Sequence, residues 1–253
     1  MRLATETRGF GRPRLAFVHG FTQTGRSWKA VAADLSVDHE VVCVDAPGHG
    51  GSSAVSVNMA DGAVLLANTV GPGVYVGYSM GARLCLHVAV NRPDVVQGLV
   101  LLGANPGIED AGERAARRTA DDALAAEIER GGVEPFIERW LAQPLFADVP
   151  ADAADRAERR RNTAAGLAAS LRLAGSSTHD LWPELATISA PTLVLAGERD
   201  TKFTEIGRRV AATIGASATF APVPEAGHAA HLVQPSAFVD ILRGWLTTAP
   251  IMP

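Results

Sequence analysis

Leu15-Ala16-Phe17-Val18 and Val41-Val42-Cys43-Val44 are apolar at every position. A strand with one wet face alternates polar and apolar residues, so strands like these must be covered on both faces. Val74-Tyr75-Val76 reads the same way, and so, apart from Gln97 and Thr192, do Val96 to Leu102 and Thr192 to Ala196. Helical spacing separates them: Trp28, Val31 and Leu35 within 26–35, a segment around 58–70, and the apolar run from Ala82 to Val90. Further helices are expected over 204–213 and 235–246, with a short strand near 217–221. Residues 1–14 are weakly patterned and are expected to hold one short edge hairpin. The pattern predicts an α/β chain built on a mostly parallel sheet with helices on both faces.

The rhythm breaks between Asn105 and Asp180. No strand is evident there, and helical patterning is punctuated at Pro106-Gly107, Gly131-Gly132, Pro135, Pro144 and Pro150. The expected organisation is a core of residues 1–104 and 181–253 with a helical cap of 105–180. The insertion starts just after a strand's carboxyl end, which places it over the edge where such sheets bind ligands.

Bulk composition excludes several classes of function. The chain has 253 residues, 47% of them hydrophobic, enough for a sizeable core, and a net charge of −4. That balance gives no argument for nucleic acid or a membrane surface as partner. Apolar runs stay below the roughly 18 residues that span a bilayer, and no secretory leader is expected. A cytoplasmic protein without membrane insertion is the expectation. The two cysteines, Cys43 and Cys85, lie inside apolar runs and are expected to be buried free thiols.

The chemistry centres on Gly77-Tyr78-Ser79-Met80-Gly81, between a β-like run and a helical one. A serine at the tip of strand–Gly-x-Ser-x-Gly–helix is a nucleophile elbow: the turn lifts the hydroxyl out of the sheet above a helix N-terminus. Such a serine needs a base, and the base an orienting acid. The order Ser, Asp, His is met by Ser79, by Asp200 in Gly197-Glu198-Arg199-Asp200, and by His228 in Pro224-Glu225-Ala226-Gly227-His228. Asp200 also suits a helix N-cap ahead of Phe203. His231, three residues on, competes with His228, which is preferred for its preceding glycine and acidic turn. His87 falls mid-helix, and His19 and His49 suit loop bracing.

A developing oxyanion needs two convergent N–H donors. Met80 supplies one, and Phe21, in the loop after Leu15–Val18, is expected to supply the other. Arg83 follows Ser79 by four residues and leans back toward it, either into the site or along a wet helix edge. Arg161 lies on the stripe Ala157, Arg161, Ala164, Ala168, Leu171, and Arg117 on a stripe with Ala120, Leu124 and Ile128. Arg159 and Arg160 fall off the first stripe. Arg118 groups with Asp121, Asp122 and Glu129 on the other face. An arginine on an inward stripe requires an anion or an acid unless it snorkels from the margin. Trp140 is either a core aromatic or a ligand platform.

Several segments together resemble a branch of the α/β-hydrolase superfamily, the 2-succinyl-6-hydroxy-2,4-cyclohexadiene-1-carboxylate synthases of menaquinone biosynthesis. The elbow and Pro47-Gly48-His49-Gly50 belong to the whole superfamily. More particular are Gln143-Pro144-Leu145-Phe146, arginine four after the serine, Asp200-Thr201-Lys202-Phe203 and Gly227-His228-Ala229-Ala230-His231. Gly81-Ala82-Arg83 departs from the family's Gly-Gly-Arg, and Leu141 stands where some relatives carry tyrosine. The resemblance implies an α/β-hydrolase fold, a small-molecule carboxylate substrate, and no metal or organic cofactor. It implies elimination of pyruvate from 2-succinyl-5-enolpyruvyl-6-hydroxy-3-cyclohexene-1-carboxylate, with Ser79, His228 and Asp200 abstracting a ring proton. Phe21 and Met80 amides would hold the anion. Arg83, Arg117 and Arg161 match the family's carboxylate-binding positions, and Tyr78 and Trp140 its substrate-contacting aromatics.

Two other readings stay open at the level of sequence. The same triad serves a serine hydrolase of small esters or carbon–carbon bonds, and the same fold serves catalytically silent small-molecule binders.

Overall fold

The computed structural model describes residues 1–251. A seven-stranded sheet comprises β1 Thr5–Arg8, β2 Leu15–Val18, β3 Val41–Val44, β4 Gly73–Tyr78, β5 Val96–Leu102, β6 Thr192–Gly197 and β7 Ala218–Val223, in the order β1-β3-β2-β4-β5-β6-β7. Only β1 is antiparallel. The unbroken apolar runs behave as expected, with every residue of β2, β3, β4 and β6 buried.

The expected N-terminal hairpin does not form. β1 pairs with β3 rather than with its neighbour β2. The reason lies in burial: β2 needs a parallel partner on each side, β3 and β4, whereas the Thr-Glu-Thr-Arg strand is exposed throughout and suits the sheet's edge.

Among the described residues the α-helices are, in chain order, α1 Lys29–Leu35, α2 Met59–Val70, α3 Met80–Asn91, α4 Ala111–Gly131, α5 Val133–Leu141, α6 Arg156–Arg159, α7 Ala164–Ala174, α8 Thr201–Ile214, α9 Ala230–Val233 and α10 Pro235–Thr248. Helices α2, α3 and α8 cover one sheet face, and α1, α9 and α10 the other, so two apolar layers sandwich the strands. Side-chain caps set several helix starts: Asn58 accepts the Asp61 amide at α2, and Thr163 the Gly166 amide at α7.

Helices α4 to α7 form the insertion between β5 and β6. Of these, α4, α5 and α7 share a separate apolar cluster that includes Ile128, Phe136, Ile137, Leu167 and Leu171. Phe21, on the loop after β2, packs against both this cluster and the sheet core. That loop, the turn after β4, and the turns after β6 and β7 all leave the sheet at its carboxyl edge, beneath the insertion.

Candidate active site

The elbow is built by close approach. A Cβ on Gly77 would fall 2.4 Å from Gly81 O, and one on Gly81 would fall 2.2 Å from Val18 O, so neither position admits a side chain. Between them Ser79 adopts φ 53° and ψ −109°, an unfavourable backbone for a residue with a Cβ. It is the N-cap of α3, so the Met80 amide is among those that a helix leaves without an intrahelical acceptor.

Three loops bring the expected triad together. His228 Nδ1 lies 2.9 Å from Asp200 Oδ2, and its Nε2 lies 3.2 Å from Ser79 Oγ. A carboxylate only accepts, so Nδ1 carries the proton and Nε2 is left to accept from the serine hydroxyl. Asp200 makes both contacts open to it: its Oδ1 also accepts the Phe203 amide at 3.2 Å and caps α8. His228 is buried, and the rings of Tyr78 and Phe203 pack against it at 5.3 and 4.3 Å. This geometry can take a proton from the serine and hold it on an oriented imidazole.

The remaining histidines are placed elsewhere. His231 is buried between the rings of Trp28 and Tyr78, at 4.2 and 4.4 Å. His19 donates from Nδ1 to Gly20 O and accepts the Ala46 amide on Nε2. His49 donates from Nδ1 to Pro47 O and accepts the Thr22 amide. Both brace loops, and burial pushes their imidazoles down, to about 4 and about 3, so they stay neutral. His87 packs edge-on against His179 at 5.0 Å. Cys43 and Cys85 are buried and free.

A cavity of about 420 Å³ opens over Ser79 between the sheet edge and the insertion. Of the expected residues, Phe21, Tyr78, Ser79, Met80, Arg83, Arg117, Trp140 and His228 line it. Trp140 packs on Phe21 and Phe146 at 5.2 and 5.9 Å and also lines the cavity.

Arg161 does not belong to this set. It is exposed and pairs with Glu158 Oε1 at 2.7 Å, and it is absent from the cavity wall. The stripe that pointed it inward assumed one continuous helix. The helix stops at Arg159 and restarts at Ala164, with Thr163 as a fresh cap, so the register is lost between them. Arg159, expected outside the stripe, is the arginine of this segment that is buried on the wall. The Asn162-Thr163 pair was the available signal, since such residues favour turns and caps over helix interiors.

A second correction concerns α4. Asp121, expected beside Arg118 on the outer face, is buried and accepts from Arg117 Nε at 2.8 Å. Burial pushes its carboxyl up, partly offset by Arg117. Lys202, noted in the sequence only as part of a motif, also lines the cavity.

The cavity is strongly cationic. Arg83 is buried and donates to Ala174 O, while its Nε has no partner. Arg159 donates to Ala154 O at 2.7 Å and to Thr22 Oγ1. Among the described residues neither meets a carboxylate. Burial lowers both guanidinium pKa values to about 10, and each remains charged at neutral pH. Asp121 acts on Arg83 and Asp155 on Arg159 only at longer range, so two buried cations without a directly paired counter-ion favour an anion in the cavity.

Comparison with known proteins agrees with this construction. The Alpha/beta hydrolase family matches residues 15–241. The 2-succinyl-6-hydroxy-2,4-cyclohexadiene-1-carboxylate synthase of Serratia proteamaculans (strain 568) is 32% identical over 245 residues, 93% of each chain. MenH from S. aureus superposes with a TM-score of 0.89 at 28% identity, covering 96% of this chain and 97% of that one. A thermophilic esterase from Thermogutta terrifontis superposes at 0.81 with 26% identity, covering 97% and 93%. On this family match and these likenesses, the chain belongs to the α/β-hydrolase family, as an enzyme related to the 2-succinyl-6-hydroxy-2,4-cyclohexadiene-1-carboxylate synthases.

Proposed function

We propose that the protein is a carbon–oxygen lyase that eliminates pyruvate from 2-succinyl-5-enolpyruvyl-6-hydroxy-3-cyclohexene-1-carboxylate. The observation that carries this reading is the pair of buried guanidinium groups, Arg83 and Arg159, that share a cavity with the triad and form no direct ion pair with a carboxylate. With Arg117 and Lys202 they favour a substrate bearing several carboxylates. A neutral ester has little use for them.

The chemistry follows from the substrate. The ring carbon that bears the succinyl group is acidified by the adjacent ketone. Ser79, its proton drawn toward His228, removes the hydrogen from that carbon. Charge develops on the ketone oxygen, and the amides of Met80 and Phe21 are the donors proposed to stabilise it. The electron pair then enters the ring, the existing double bond shifts, and the carbon–oxygen bond to the enolpyruvyl group breaks. The proton held on His228 is available to the departing enolpyruvate, which becomes pyruvate. Asp200 keeps the imidazole oriented throughout. In this reading Ser79 is a base and forms no acyl intermediate. Tyr78 and Trp140 would pack on the ring.

A serine hydrolase of small esters is the second reading. The Ser79–His228–Asp200 chain supports it, because the same hydrogen bonds activate a nucleophile, and so does the likeness to an esterase. The test is incubation of the purified protein with the tricarboxylate, following pyruvate and the conjugated diene together. Equal release of both supports the lyase, and neither product appearing rejects it.

A further inference from the structure

The loop that carries His228 is held on its sheet side by backbone contacts. Arg199 N donates to Ala226 O at 2.9 Å, and Gly197, at the end of β6, abuts Gly227 O. Its other support comes from the insertion. Asp148, just beyond the 3-10 turn Pro144–Phe146, accepts the Gly227 amide on Oδ2 at 2.6 Å. Its carboxylate lies flush on Gly227, in space that a Cβ there would need.

Asp148 is itself held in place. Phe146, two residues earlier, is buried and lines the cavity. Val149, the next residue, packs against both the insertion's cluster and the sheet-core layer beneath α1 and α10. A side chain between two such anchors has little freedom, so the hydrogen bond to Gly227 has a fixed origin.

Gly227 immediately precedes His228, whose ring must keep two contacts at once, 2.9 Å to Asp200 and 3.2 Å to Ser79. Proton transfer is sensitive to such distances, and a displacement of about 1 Å can cost about a hundredfold in rate. We propose that Asp148 is a positioning residue for the triad: by holding the Gly227 amide from the insertion side, it sets where the His228 imidazole stands between Asp200 and Ser79. This rests on the triad component of the proposed function and is independent of the substrate.

The test reads Ser79 without a substrate. An alkyl fluorophosphonate reacts at an activated serine: the Ser79 oxygen–phosphorus bond forms, the proton passes to His228 and fluoride leaves. Asp148→Ala should slow this labelling by about ten- to hundredfold, in the range expected for a misplaced base. Asp148→Asn keeps an acceptor for the Gly227 amide and should label within about threefold of the unaltered protein. Asp152→Ala, an exposed neighbour, should change nothing. Urea midpoints for all three variants separate alignment from loss of fold. Labelling of Asp148→Ala at the unaltered rate, or of Asp148→Asn as slowly as Asp148→Ala at an unchanged midpoint, would overturn the proposal. No labelling of the unaltered protein would instead overturn the triad reading and this one with it.

Discussion

Arg159 reaches from the insertion to Thr22 Oγ1, one residue beyond Phe21. Asn162 reinforces the contact, donating to Thr22 O at 2.7 Å, and its own Oδ1 accepts the Gly50 amide at 2.8 Å. Thr22 sits at φ 70°, a costly conformation for a β-branched residue, and both its hydroxyl and its carbonyl are held from the insertion. The insertion and the loop presenting the Phe21 amide are thus one hydrogen-bonded unit.

The first prediction separates Arg159 from Arg161. Arg159→Gln should raise KM for the tricarboxylate by about 10- to 100-fold, the worth of a charge-assisted bond to a carboxylate. Arg161→Ala should change KM by about twofold or less, because its exposed pair with Glu158 contributes little. Steady-state kinetics decide it. The opposite ranking would return the carboxylate contact to Arg161.

Arg83 and the triad should separate in kinetic parameters. Arg83→Met removes a buried cation without a carboxylate partner, so KM should rise by about tenfold or more. Ser79→Ala should instead cut kcat by about ten-thousandfold, by analogy with other triads, while KM stays close to its original value. A Ser79→Ala enzyme retaining most of its turnover would remove Ser79 from the mechanism.

Acid sensitivity should be built into the core by His87. Its folded-state pKa is lowered from 6.5 to about 3, first by burial and then by His179 and Arg83. The unfolded chain therefore binds a proton that the native protein refuses between those values. Stability from this residue is present above pH 6.5 and is lost as pH falls toward 3. His87→Leu should remove that component. Between pH 6.5 and 4.5 the unaltered protein should lose about 2 kcal/mol more than the variant, measured by urea unfolding. Parallel curves would show that His87 takes up a proton in the native state.

The sheet and the triad were legible because each depends on short local patterns. Wholly apolar runs identified buried parallel strands, and Ser79, Asp200 and His228 each stand in a turn at a strand's carboxyl end. The same logic put Phe21 and Met80 beside Ser79, where both line the cavity. The insertion was less legible. A single non-helical turn at 160–163 reverses which arginine faces the cavity, and helical spacing carries no information across such a break. Asp121 was misplaced for a related reason: an acid beside arginines reads as a wet face, yet it is buried against Arg117. The Asp148 contact joins residues 79 apart and has no local signature at all. The edge hairpin failed because proximity in sequence favoured β2 as partner, whereas burial reserved both edges of β2 for parallel strands.

The central claim is that a serine-triad enzyme with a cationic cavity uses Ser79 for proton abstraction from a carboxylate-rich ring. The most direct measurement compares kcat/KM for pyruvate release from the tricarboxylate with kcat/KM for hydrolysis of p-nitrophenyl acetate on one preparation. The account predicts that elimination exceeds ester hydrolysis by about a thousandfold or more, since the arginines bind only the anionic substrate. Ester turnover without any pyruvate release would contradict it, and would leave the protein a hydrolase.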